Sequence, residues 1–140
     1  MALDNLFGIA GSALNAQTAR MNATASNLAN AGAVAASDKD AFRAKRTVFK
    51  TIMQEIGSTP SSNTGGVKVS GISDAPQPIA RMSDPGNPSA DKDGYVYLSN
   101  VNEMTEMVEM MAAARSYQNN VEVVNTARQL MMRTLDIIKS

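Results

Sequence analysis

Between Met107 and Ile138, small or apolar residues recur at alternating steps of three and four. They are Met107, Met110, Ala114, Tyr117, Val121, Val124, Met131, Leu135 and Ile138, with Arg128 the only break. Such steps fall on one side of an α-helix, so the spacing predicts a long C-terminal helix with a packing seam. A heptad of Phe7, Leu14, Met21 and Leu28 predicts a second seamed helix at the start of the chain. The predicted fold class is therefore α+β, with long N- and C-terminal helices paired as a coiled coil. Between them lies a small, mostly antiparallel β module with long loops.

The segment from residue 4 to 30 has an N-cap candidate in Asp4, a stop in Gly32 and no proline in between. Its polar positions are amides and hydroxyls (Asn15, Gln17, Thr18, Asn22, Ser26, Asn27), and Asp4 and Arg20 are the only charges before Asp38. Helices facing water usually carry lysine and glutamate. This one predicts close packing against neighbours on several sides. The C-terminal helix, expected from 101 to 138, has acidic residues (Glu103, Glu106, Glu109) near its start and basic ones (Arg128, Arg133, Lys139) near its end, as the helix dipole favours. Asn100 and Glu103 have capping-box spacing.

All five prolines lie between residues 31 and 100, with five of the nine glycines between Gly65 and Gly94. Strand-like runs at Phe42–Ile52, Val67–Ile72, Ile79–Met82 and Tyr95–Leu98 alternate with turn residues there. The expected division is a helical domain of 1–32 with 101–140, and a β-rich middle of 33–100. A flexible loop is expected at 57–66, Gly-Ser-Thr-Pro-Ser-Ser-Asn-Thr-Gly-Gly.

Cysteine and histidine are absent from the 140 residues. Disulfides, thiolate metal sites, thiol nucleophiles and the commonest general base go with them. No spacing points to a catalytic carboxylate, lysine, serine or tyrosine, and neither a cofactor nor a metal is expected. The 13 basic and 13 acidic residues balance, which gives no long-range field toward nucleic acid. Ser89–Gly94 echoes a calcium loop in Asp91-Lys92-Asp93-Gly94, but Ser89 and Asn100 stand where acidic ligands belong, which reads as a solvated turn. The ten methionines, dense from Met104 to Met132, read as adaptable packing. The start Met-Ala-Leu-Asp lacks the basic and apolar regions of a cleaved signal peptide, and no run reaches the roughly 18 apolar residues of a membrane span.

Ala25-Ser26-Asn27-Leu28-Ala29-Asn30 resembles the Asn-Leu-Ala-Asn signature of bacterial flagellar rod and hook proteins. Asp84-Pro85-Gly86-Asn87-Pro88, Gly94-Tyr95-Val96 and Ala114-Arg115-Ser116-Tyr117-Gln118-Asn119-Asn120-Val121, followed by Asn125, are similar to stretches of the proximal rod members. The usual Thr-Pro-Gly-Tyr after the signature is replaced by Ala31-Gly32-Ala33-Val34, a variation of the proximal type. The resemblance implies a structural subunit of the basal-body rod in the periplasm. It would be exported by the flagellar type III system without a cleaved signal peptide, assemble helically around the export channel and transmit torque. It implies copies of itself, other rod proteins and export-gate and ring components as partners. Asn27, Leu28, Ala29 and Asn30, with Arg115, Tyr117, Gln118, Asn119 and Asn125, are then the signature and register-setting residues. From the residues alone, a soluble helical adaptor or export chaperone is the alternative.

Overall fold

The computed structural model describes residues 2–52 and 65–139. Among the described residues, two helices bracket five strands. Helix α1 is Ala2–Ala29 and helix α2 is Glu103–Lys139; between them come β1 (Val34–Ala35), β2 (Lys45–Thr51), β3 (Val67–Asp74), β4 (Arg81–Ser83) and β5 (Tyr95–Leu98). The arrangement is α+β, and every strand pairing among the described residues is antiparallel.

Alanine-rich sequence carries α1 without a break for 28 residues, about 42 Å. Its end is a turn in which the Asn30 side-chain amide donates to the Ser26 carbonyl at 2.8 Å, alongside the Asn30 backbone N–H, which reaches the same carbonyl at 3.2 Å. Helix α2 runs for 37 residues, about 55 Å. Its cap is Asn102, whose side-chain oxygen accepts from the Thr105 N–H at 3.0 Å. Asn100, the residue with capping-box spacing, has a different task. It accepts from the Ala44 N–H at 2.7 Å and donates to the carbonyls of Gln77 at 2.9 Å and Ala75 at 3.3 Å. The cap moves because this amide is needed to tie the chain before β2 to the chain after β3.

The helices lie side by side and antiparallel: Asn27 near the end of α1 meets Glu106 near the start of α2, while Leu6 shares a cavity with Val123 and Leu130. Strands β2 and β3 form a ribbon against α1, with a register shift between Val48 and Phe49. Strands β1, β5 and β4 form a second small sheet in that order. The strand-like runs read from the sequence correspond to β2 through β5. The two-residue β1, which pairs Val34 with Leu98 and Ala35 with Tyr97, is too short to leave a periodic signal. Of the loop expected at 57–66, residues 57–64 lie outside the described residues. Gly65 and Gly66 both hold positive φ, 102° and 141°, at its exit.

The buried apolar residues are mostly alanines: Ala10, Ala16 and Ala23 on α1, Ala113 and Ala127 on α2, and Ala41, Ala44 and Ala75 in the connections. Val96 of β5 is the one large apolar side chain among the described residues that is completely enclosed.

Candidate assembly interface

The largest fully enclosed side chains besides Val96 are polar, Asn27 and Glu106. Asn27 is held in the last turn of α1, where its amide faces the start of β2. There it accepts from the Lys45 N–H at 2.7 Å and donates to the Lys45 carbonyl at 2.9 Å, the pattern a paired strand residue would make. It also donates to Glu106 at 2.8 Å. The other carboxylate oxygen of Glu106 lies 2.7 Å from the guanidinium of Arg46. Arg20 and Glu109 form a further ion pair between the helices. Three elements therefore meet at a buried polar joint in which every charge has a partner of opposite sign.

Along α2 the positions closed off are Glu106, Ala113 and Ala127, with Asn120 half-buried between them, a spacing of seven. Small side chains let the two helices approach closely. Of the residues read as the C-terminal seam, Met110, Ala114, Tyr117, Val121, Val124 and Met131 are half-buried beside this line. Met107, Leu135 and Ile138 are exposed in the single chain. On α1, Phe7, Leu14, Met21 and Leu28 are all half-buried and flank the enclosed Ala16, Ala23 and Asn27.

Within the signature, Asn27 is enclosed, Leu28 and Asn30 are half-buried and Ala29 is exposed; Arg115, Gln118, Asn119 and Asn125 are exposed and Tyr117 half-buried. The structure thus brings Asn27 and Asn30 into the joint and the cap, and leaves four polar residues of α2 facing outward. Glu106 was not singled out for its role, since one acid among three at a helix start gives no sign of being buried. Asp91, in the turn that echoes a calcium loop, accepts from the N–H groups of Asp93 and Tyr95, both at 2.9 Å.

Both ends of the chain match described families. Residues 7–34 match the family "Flagella basal body rod protein", and residues 92–137 match "Flagellar basal body rod FlgEFG protein C-terminal". Over 98% of both chains, the sequence is 48% identical to flagellar basal-body rod protein FlgC of Escherichia coli O6:H1. Identity is 47% to the FlgC of Salmonella typhimurium and 45% to that of Buchnera aphidicola from Acyrthosiphon pisum, again over 98% of each. The chain belongs to the flagellar basal-body rod protein family. It is a structural rod subunit of the FlgC type, and the soluble adaptor reading is not favoured. Its two matched segments hold the polar joint between them, Asn27 in one and Glu106 in the other.

Proposed function

We propose that this chain forms part of the proximal rod wall, with its helices as an inner layer around the export channel and its β strands facing neighbouring subunits. The observation that carries this reading is the amount of large apolar surface left open on α2, where Met104, Val108, Met111, Leu130, Met132, Leu135 and Ile138 are all exposed. Such surface on a subunit of an assembly is contact area awaiting neighbours. In this reading residues 1–32 and 101–140 act as one helical unit and 33–100 as an outer module. The exposed amides Gln118, Asn119 and Asn125 and the guanidinium of Arg115 fix register between subunits. Partners are copies of the chain, other rod proteins and the export-gate and ring components at the base. Torque passes through the packed helices, and the subunit reaches the periplasm by type III export with its N-terminus intact.

The test is complementation of a motile bacterium that lacks its FlgC. The full chain restores swimming and is recovered in purified basal bodies. Leu14→Asp or Val121→Asp abolishes swimming while the protein is still made, because each puts a charge into a half-buried helix contact. Undiminished swimming with both variants overturns the seam assignment, and absence of the chain from basal bodies overturns the rod reading itself.

A further inference from the structure

Strand β2 has one strand neighbour among the described residues, β3, and its other edge is open. The Ala75 N–H donates to the Ala44 carbonyl at 2.8 Å and the Ile52 N–H to the Gly66 carbonyl at 2.9 Å, which sets the phase of the ladder at both ends. Backbone groups alternate in direction along an antiparallel strand. Arg46, Val48 and Lys50 therefore pair with β3, and Lys45, Thr47, Phe49 and Thr51 turn their N–H and C=O groups the other way. At Lys45 both groups are indeed taken from that side, by Asn27. Beyond it, the backbone groups of Thr47, Phe49 and Thr51 have no partner on this edge among the described residues. We infer that an extended, acidic polypeptide segment of a neighbouring rod subunit completes this edge, pairing with residues 47–51 as an added strand. The contact rests on the rod reading and gives the chemistry of one of its partners.

Space for such a strand is present. A cavity of about 430 Å³ lies between Arg20 and Thr24 of α1 and Lys45, Arg46, Thr47 and Phe49 of β2. Successive residues of β2 line it and no residue of β3 does, so it runs along the open edge and not beneath the ribbon. The backbone then selects the occupant. Free donors and acceptors that recur every second residue, about 6.8 Å apart, match extended chain, whereas a helix satisfies its own. Residues 47–51 span about 14 Å, the length of a short strand. Their sequence, Thr-Val-Phe-Lys-Thr, is rich in β-branched and aromatic residues and has no proline to blunt the edge.

Charge sets the character of the incoming segment. Arg20, Lys45 and Arg46 line the cavity, and the one acid lining it, Glu109, is tied to Arg20. The partners of the other two cations do not line it: Glu106 is enclosed beneath Arg46, and Asp74 lies across the ribbon on β3. The side chains of Lys45 and Arg46 keep 41% and 39% of their surface exposed. Each has N–H donors to spare for a carboxylate that enters beside β2. A segment bearing lysine or arginine there meets three like charges and is turned away.

Amide-resolved hydrogen exchange tests the edge, because residues facing opposite ways on one strand serve as controls for each other. In the purified chain the amides of Thr47, Phe49 and Thr51 exchange quickly, and those of Arg46, Val48 and Lys50 slowly. Slowing of the first three by about tenfold or more in basal bodies, with a smaller change at the second three, supports strand addition. No slowing in basal bodies that contain the chain, or protection of all six already in the free chain, overturns the inference and leaves the rod reading standing. Lys45→Glu combined with Asp74→Lys keeps that ion pair and reverses the charge beside the cavity, so the added protection and swimming are expected to fall. Protection unchanged by the swap overturns the acidic partner. Thr47→Pro removes one outward donor and leaves the pairing of β2 with β3 in place. The purified variant is expected to unfold near the parent's denaturant midpoint while swimming falls. Loss of the ribbon in this variant shows an inward amide, and parental swimming shows an unused edge; either overturns the inference. Absence of the parent chain from basal bodies removes the rod reading and this contact with it.

Discussion

Asn27 and Glu106, 79 residues apart in sequence, share a hydrogen bond of 2.8 Å at a point where neither has any exposed surface. The bond joins the last turn of α1 to the first turn of α2. Because the same amide also clasps the backbone of Lys45, the β2–β3 ribbon takes its direction from the helix pair. A buried polar contact of this kind adds little net stability but tolerates few alternative arrangements. It fixes the angle at which the ribbon leaves the helical layer.

Asn27→Leu removes three hydrogen bonds and leaves the Lys45 N–H and a Glu106 oxygen buried without a partner. The expected loss is about 3 kcal/mol in denaturant unfolding of the purified chain. Asn27→Asp sets a second carboxylate beside Glu106 and destabilises more at neutral pH. A leucine variant within about 0.5 kcal/mol of the parent contradicts the joint.

Gly66 holds φ at 141°, and a Cβ added there would stand 2.9 Å from the Ser12 hydroxyl oxygen. That hydroxyl donates to the Ile9 carbonyl at 2.7 Å and accepts from the Val67 N–H at 3.1 Å, which anchors the start of β3 on α1. Gly66→Ala therefore costs about 1–3 kcal/mol through backbone strain, with the displaced serine adding to it. Combining it with Ser12→Ala relieves the clash but not the dihedral. The double variant is expected to lie below the parent and lose less than the two single losses combined, as a thermodynamic cycle measures.

The start of α2 separates two asparagines that look alike in sequence. Asn102→Ala loses a helix cap and costs about 1 kcal/mol. Asn100→Ala frees the Ala44 N–H, which is buried with its residue, along with two carbonyl contacts, and costs about 2 kcal/mol or more. Thermal unfolding of the two variants side by side gives the order, and a larger loss at Asn102 contradicts the clamp.

The helices were legible because their periodicity extends over many turns, and the strands from Lys45 to Leu98 because turn residues bound them. The line along which the helices meet was less so. Apolar periodicity selects bulky residues such as Met107 and Leu135, yet within one chain the enclosed positions of α2 are Glu106, Ala113 and Ala127, one residue earlier in the heptad. Bulk and burial part company here because a single copy has too few layers to cover both sides of a long helix. Asn27 was singled out by its motif, but its partner on α2 had no local signal. A contact spanning 79 residues leaves no trace in spacing.

The far end of α2 gives the last prediction. Because Leu6 shares a cavity with Val123 and Leu130, α1 begins near the level of Leu130, and α2 continues past it from Met132 to Lys139, about 12 Å. Leu135 and Ile138 on this stretch are 51% and 75% exposed. Helical hydrogen bonds that are not backed by tertiary packing open easily. In the purified chain, amides of 132–138 are therefore expected to exchange with deuterium orders of magnitude faster than those of 110–125, and to become protected in basal bodies. Leu135→Asn changes the unfolding free energy of the isolated chain by less than about 0.5 kcal/mol, since the residue contributes little to its own fold. It nevertheless reduces swimming, because the lost contact belongs to the assembly. Uniform protection along the whole of α2 in the free chain would show instead that this end is stabilised from within.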